Sequence, residues 1–333
     1  MEADLVTRAG VPFTAIPAAG VHGVGLRSLP GNLLRLGRGT LAARRILAEF
    51  KPDAIFFTGG YVAAPLAVAA RNKPILLYVP DIEPGMALRF LSHFAKIIAL
   101  TAEDSKQYFK SAARQVVTGY PTRSEMGSWE RSAARRHFDL SENLPVLLIA
   151  GGSKGARSIN QPVLAALKDL LGMAQIIHLT GSLDKEAAAA ARAGLPDELK
   201  NRYQIFDYLH EDMGAALAAA DLAITRAGAS TLGEYPLFGL PAILVPYQYA
   251  WRYQMVNARF LERHGAAVVL EAAQLSTELL PTLRTLFAAP QRLQAMRQAM
   301  QSLARPNAAQ EIASLLQELA GESAQPEKGA QSW

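Results

Sequence analysis

Short apolar runs of strand type alternate with helix-patterned stretches along nearly all of this 333-residue chain, and that alternation restricts the fold more than any other feature. A strand that returns parallel to its predecessor needs a crossover, usually a helix, so the pattern predicts parallel sheets covered by helices. The first group of runs is Phe13 to Ile16, Ala54 to Phe57, Ile75 to Val79, Ile97 to Leu100 and Gln115 to Thr118. The second is Val146 to Ala150, Gln175 to Leu179, Gln204 to Phe206, Asp221 to Thr225, Ala242 to Val245 and Ala267 to Leu270, enough for a complete six-stranded sheet. Half of the residues are hydrophobic, which is ample for two cores of about 150 residues each. Gly119 to Arg123 reads as the connecting loop. Ser302 to Leu319 reads as paired helices broken at Pro306, the last leaning back on the first domain, and the low-complexity sequence after Gly321 reads as a disordered tail. The expected division is 1–120, 121–304, a returning helix at 305–321, and a tail at 322–333.

The first group has a defect. The chain opens with Met1-Glu2-Ala3-Asp4-Leu5-Val6, already helical in pattern, with no strand and Gly-rich turn before it. In a doubly wound sheet of order 3-2-1-4-5-6 the first strand is central and its loop binds ligand. The first domain is therefore expected to be incomplete at its N-terminus.

Composition narrows the chemistry. The absence of cysteine rules out disulfides, a thiol nucleophile and Cys-based metal sites, and the six His residues lack metal-ligand spacing. The net charge of +5 is unevenly spread: between Leu5 and Ala48 lie Arg8, Arg27, Arg35, Arg38, Arg44 and Arg45 with no Lys, Asp or Glu. Leu26, Leu29, Leu33, Leu34, Leu36 and Leu41 share that segment, so it reads either as a solvated helix face or as a surface that rests on anionic lipid. Nucleic acid is not expected as a partner, because the basic residues lack interleaved aromatics or a recognised motif. No secretory pattern or membrane-spanning run is present, which points to the cytoplasm with any membrane contact peripheral.

Two small-residue turns carry the chemistry. Arg226-Ala227-Gly228-Ala229-Ser230-Thr231-Leu232-Gly233-Glu234 follows the run Asp221 to Thr225 and is expected to open a helix. Free N–H groups there, carrying roughly half a positive charge, suit a pyrophosphate. Glu234, one turn into that helix, suits a ribose diol. Thr231 and Glu234 equally fit a capping box that serves only the helix. Gly151-Gly152-Ser153-Lys154-Gly155-Ala156-Arg157 follows Val146 to Ala150 in the same way, and lacks the Lys-hydroxyl order of a P-loop. Both turns belong at the carboxyl edge of one sheet, where open α/β sheets bind ligands.

With these motifs the chain resembles the MurG-type GT-B glycosyltransferases that convert lipid I to lipid II in peptidoglycan synthesis. The resemblance runs from Met1 to about Leu319 through Glu2 to Val6, Gly59-Gly60-Tyr61-Val62, Pro121-Thr122-Arg123, Gly151 to Asn160, Asp212-Met213, Arg226 to Glu234, Ala242 to Pro246, Gln254 and Asn257-Ala258. It implies a GT-B fold, two Rossmann-like doubly wound domains facing a cleft. Arg123 and Ser153 would lie near the donor phosphates with Ala229, Ser230 and Thr231. Glu234 would hold the ribose of UDP, Gln254 and Asn257 the GlcNAc hydroxyls, and the backbone around His210 the uracil. Gly59, Gly60 and Tyr61 would belong to the acceptor side. An Arg and a helix N-terminus stabilise departing UDP, so no metal or other cofactor is expected. There is no Asp-x-Asp, and Asp81-Ile82-Glu83 is the nearest approach.

Departures bear on the catalytic base. The family's opening Gly-rich loop with its His has no counterpart, and Tyr78-Val79-Pro80-Asp81 replaces its His-Glu-Gln-Asn acceptor motif. Asp81 then reads either as a base for a sugar hydroxyl or as a loop Asp before a turn. Lys154 and Tyr253 stand where the family usually has Gln and His. The implied partners are UDP-GlcNAc, a polyprenyl-diphosphate-linked acceptor and an anionic membrane surface on the cytoplasmic face. The alternatives are a UDP-sugar-binding protein without catalysis, one half of a split transferase, or a GT-B-like UDP-GlcNAc 2-epimerase.

Overall fold

The computed structural model describes residues 6–7, 10–17, 29–110, 112–152, 155–247 and 253–324. Two parallel sheets organise them. The first contains β1 (Ile55–Phe57), β2 (Ile75–Val79), β3 (Ile97–Leu100) and β4 (Arg114–Val117), in the order β1-β2-β3-β4. The second contains β5 (Val146–Ala150), β6 (Gln175–Leu179), β7 (Tyr203–Phe206), β8 (Leu222–Thr225), β9 (Ala242–Leu244) and β10 (Ala267–Val269), in the order β10-β9-β8-β5-β6-β7. That second order is doubly wound, reversing direction between β5 and β8. β2, β3, β5, β6, β8 and β9 are buried along their full length, which is why they read as continuous apolar runs rather than alternating ones.

The run from Phe13 to Ile16 is not a strand. It lies in an irregular segment bounded by Pro12 and Pro17, with Val11 and Phe13 exposed. Proline supplies no ladder donor, and the Pro17 carbonyl instead sits against Gly39 of helix Leu29–Phe50. Among the described residues the outer edge of β1 carries no strand partner.

Two crossings join the halves. Residues 118–121 lead from β4 into the second half, and residues 303–307 lead from helix Pro290–Ser302 into helix Ala308–Ala324. The crossings touch at Gly119, where a Cβ would lie 2.3 Å from the Arg305 Cβ. Helix Ala308–Ala324 then packs on the first sheet, burying Ile312, Leu315 and Leu319 against Leu76, Tyr78, Ile97 and Ala99.

Candidate active site in the interdomain cleft

The carboxyl ends of β5 and β8 sit side by side in the second sheet, because the doubly wound order makes those strands neighbours. The two small-residue turns are thereby brought together. Gly155 shows why the first turn needs its residue type: it has φ +74°, and a Cβ there would lie 2.2 Å from the Thr180 carbonyl oxygen. Ser153 of this turn lies outside the described residues. After β8 the chain makes a single 3₁₀ turn, Ala229–Leu232, and only then the short helix Glu234–Phe238. Glu234 is thus the first residue of that helix and not one turn inside it. Gly233 sits between the turn and the helix and abuts the connecting loop: a Cβ there would fall 2.7 Å from the Tyr120 Cβ, so the position requires glycine.

The capping-box alternative is not realised. The Thr231 N–H donates to the Gly228 carbonyl (3.0 Å) and its hydroxyl to the Arg226 carbonyl (3.2 Å), while neither short helix has a side-chain cap. Glu234 is left to face a cavity of about 190 Å³, whose lining includes Arg123, Gly152, Tyr208, Ser230 and Thr231. Burial raises the Glu234 pKa above the ordinary carboxylate value, while the Arg123 charge and the Ser230 hydroxyl oppose that rise. A carboxylate so placed accepts hydrogen bonds readily from a diol.

Arg123 is exposed and donates to the His210 carbonyl (3.1 Å), tying the connecting loop to the turn after β7. It separates the Glu234 cavity from another of about 330 Å³ beside Glu125, Met126 and Glu211. His210 packs edge-on to Tyr208, ring centroids 4.6 Å apart. Gln254, in helix Tyr253–Arg263, accepts the Tyr247 N–H with its side-chain carbonyl (2.8 Å).

From the first sheet, the β1 and β2 ends supply the facing wall. Gly59 and Gly60, both at positive φ, and the exposed Tyr61 form the turn into helix Ala63–Ala69. Asp81 follows β2 and is mostly buried, which raises its pKa; a hydrogen bond from Asn257 opposes the shift. Asn257 is 0% exposed, and its carboxamide is fully engaged with protein: Nδ2 donates to Asp81 Oδ1 (2.7 Å) and to the Ala227 carbonyl (3.2 Å), while Oδ1 accepts the Ile82 N–H (3.0 Å).

Two residues, Tyr120 and His178, escaped the sequence reading, and Arg226 was named there only as part of its turn. Tyr120 lies at the junction, in a T-shaped contact with Tyr78 at 6.5 Å and against Gly233; burial raises its pKa, with Glu234 and Asp81 adding to the rise. Arg226 braces the two turns, donating to Ser158 Oγ (2.6 Å) and to the Val245 carbonyl (2.9 Å). His178 lies fully buried beneath the first turn, bonded to Tyr203 and Asn160. The buried strand pattern absorbed His178, and nothing local marked Tyr120.

Comparison with known proteins agrees with this arrangement. A model described as the glycosyltransferase family 28 N-terminal domain matches residues 1–100, and one described as the family 28 C-terminal domain matches residues 146–312. A protein of Roseiflexus sp. (strain RS-1), named UDP-N-acetylglucosamine--N-acetylmuramyl-(pentapeptide) pyrophosphoryl-undecaprenol N-acetylglucosamine transferase, is 42% identical over 96% of this chain and 81% of its own. A protein of the same name from Desulforudis audaxviator (strain MP104C) is 39% identical over 96% and 88%. The crystal structure of Acinetobacter baumannii MurG is similar at a TM-score of 0.76 and 30% identity, covering 96% of this chain and 88% of that one. A Neisseria meningitidis UDP-GlcNAc 2-epimerase shares the fold alone, at TM-score 0.64 and 14% identity.

Proposed function

This chain belongs to glycosyltransferase family 28, among the transferases that carry N-acetylglucosamine to N-acetylmuramyl-(pentapeptide) pyrophosphoryl-undecaprenol, and on that premise we propose that it catalyses the lipid I to lipid II step with inversion. Residues 1–120 form the acceptor side and 121–304 the donor side. The ribose of UDP lies on Glu234. Its diphosphate meets Arg123 and the N–H groups of Ala229 and Ser230 beside Thr231, with Ser153 assigned to it by the family resemblance, and the uracil meets the backbone near His210. Gln254 lies on the side of the GlcNAc ring and Gly59, Gly60 and Tyr61 on that of the acceptor, whereas Asn257, buried with its carboxamide engaged by Asp81, Ile82 and Ala227, is not assigned a sugar hydroxyl. The acceptor hydroxyl attacks C1 of GlcNAc, the C1–O bond to the β-phosphate breaks, and its electron pair leaves with UDP. Asp81 takes the hydroxyl proton. The cationic Arg123 and the oriented N–H groups lower the barrier by stabilising the charge that develops on the leaving phosphate.

One observation carries the reading: a partly buried carboxylate, Glu234, and a cation, Arg123, line one cavity beside two small-residue turns on adjacent strand ends. The test is radiolabelled UDP-GlcNAc incubated with lipid I, with lipid II as the expected product. Glu234→Gln is expected to weaken UDP binding about tenfold or more, since a hydrogen bond to a charged group contributes about 1.5–3 kcal/mol. Absence of transfer by the folded protein, or unchanged calorimetric heat with UDP in Glu234→Gln, overturns the assignment.

The surface reading belongs with this function. Helix Leu29–Phe50 buries Gly39 and Ala43 and exposes Leu34, Leu41, Arg35, Arg38, Arg44 and Arg45. Such a face fits an anionic bilayer carrying the lipid-linked acceptor. No described helix is long and apolar enough to cross a membrane.

A further inference from the structure

The cleft is bridged where Asp81 meets Asn257. These residues are 176 positions apart, on opposite sides of the domain junction, yet the carboxamide satisfies both its own hydrogens and the loop it touches. Ile82, next to Asp81, is 1% exposed and belongs to the core cluster of the second half rather than to its own sheet. Ala102 of the first half joins the same cluster. Elsewhere along the same helix, Arg263 pairs with Asp104 (2.9 Å), and the Tyr253 hydroxyl lies near Gly85. Helix Tyr253–Arg263 thus grips the loop after β2 and its surroundings at several points, and Asn257 meets the carboxylate itself.

We infer that Asn257 is a positioning residue for Asp81: its carboxamide, carried by the donor half, aims and holds the acceptor-half carboxylate that takes the proton. The inference rests on the reading of Asp81 as base. Both Asn257 N–H bonds are committed, one to Asp81 and one to the Ala227 carbonyl beside the donor turn. A movement of that turn is therefore passed by a single rigid amide to Asp81. Because the amide donates to the carboxylate, it favours the ionised form, the form a base requires. When the halves separate, Asp81 loses this donor and the burial that raises its pKa together, so the carboxylate is aimed only while the cleft is shut.

The groups facing Asp81 leave this role to Asn257. Tyr78 on β2 and Tyr120 on the connecting loop are acids held neutral by burial, and both are further raised by Asp81. Glu83 on the same loop is paired with Arg89 (2.9 Å), and the Tyr253 hydroxyl approaches from the opposing helix at Gly85.

The test uses the whole chain labelled with ¹³C at aspartate carboxyls, the Asp81 signal being assigned by its loss in Asp81→Asn. In Asn257→Ala the Asp81 titration midpoint is expected to rise by about one pH unit, a tenfold gain in proton affinity. The acidic limb of the kcat profile is expected to move with it, while KM for UDP-GlcNAc changes by less than about twofold. An unmoved Asp81 midpoint overturns the inference, as does a loss confined to KM with the limb unmoved, the signature of a sugar contact alone. Should Asn257→Ala fail to fold, Asn257→Asp keeps the size and the acceptor for the Ile82 N–H but sets a second carboxylate against Asp81. Its midpoint must then rise, and an unchanged one again overturns the inference. The titration needs no turnover, so failure of the transfer assay and failure of the clasp are separate results.

Discussion

At the scale of single residues, His178 gives the clearest pH signature. Its ring is fully buried with both nitrogens engaged, at 2.8 Å to Tyr203 and 3.0 Å to Asn160, and burial pushes its pKa down to about 4 from 6.5. The unfolded chain therefore binds a proton that the folded chain refuses. Stability from this group is fully present above pH 6.5 and is lost as pH falls toward 4, reaching about 3 kcal/mol from a shift of that size. Urea unfolding of the wild type and His178→Gln at several pH values between 7.5 and 4 is expected to give curves that converge as pH falls. Parallel curves would remove His178 from the account. The same network reaches the site, since Asn160 also donates to the Thr180 carbonyl and Asp184, and the Thr180 carbonyl rests on Gly155. Little of this was legible in sequence. Glu234 stood out because a small-residue turn after an apolar run has a local pattern, whereas Arg123 was implied only by the family resemblance. The Asn257–Asp81 pair was not visible, because its partners meet only through tertiary packing.

Elements were more legible than their partners. Buried parallel strands are apolar on both faces, so Val146 to Ala150 and Asp221 to Thr225 stand out from any neighbours. Phe13 to Ile16 has a similar composition but is flanked by prolines, and apolar character alone does not supply a strand beside it. The helical reading of Ser230 to Glu234 met a break at Gly233, a glycine required there by the close approach of Tyr120, more than a hundred residues earlier in sequence. Helix Ala308–Ala324 shows an element whose stability comes from its partner. Leu319 is 0% exposed against residues of β2 and β3, while the Arg114–Glu318 ion pair beside it is solvent-exposed and contributes about 1 kcal/mol or less. Leu319→Ala is accordingly expected to destabilise by about 2–5 kcal/mol, and Glu318→Ala by far less. Denaturant unfolding monitored by circular dichroism separates the two. Equal effects would place the anchor in the ion pair.

At the scale of the whole molecule, the contacts that couple the halves include Gly119 against Arg305, the Asn257 clasp, Arg263 with Asp104, and Ile82 and Ala102 set in the core of the second half. Helix Leu29–Phe50 lies on the outside of the first half, where Leu34 and Leu41 are more than half exposed. Residues 34, 38, 41 and 45 recur at helical spacing, so Leu34, Arg38, Leu41 and Arg45 share one face, the combination that an anionic bilayer attracts by charge and retains by apolar insertion. A net charge of +5 adds a weaker long-range pull that salt screens within about 8–10 Å. Each surface cation near an anionic leaflet contributes about 1 kcal/mol, so the double variant Arg38→Ala/Arg45→Ala is expected to bind phosphatidylglycerol vesicles roughly thirtyfold less well than the wild type. Leu34→Ser/Leu41→Ser separates the two forces, because its remaining binding is electrostatic and falls steeply with salt, whereas the apolar part of wild-type binding persists. Cosedimentation with phosphatidylglycerol and with phosphatidylcholine vesicles reads both effects. Equal binding to the two lipids, unaltered by either variant, would show that this face meets solvent and that the acceptor reaches the cleft by another side.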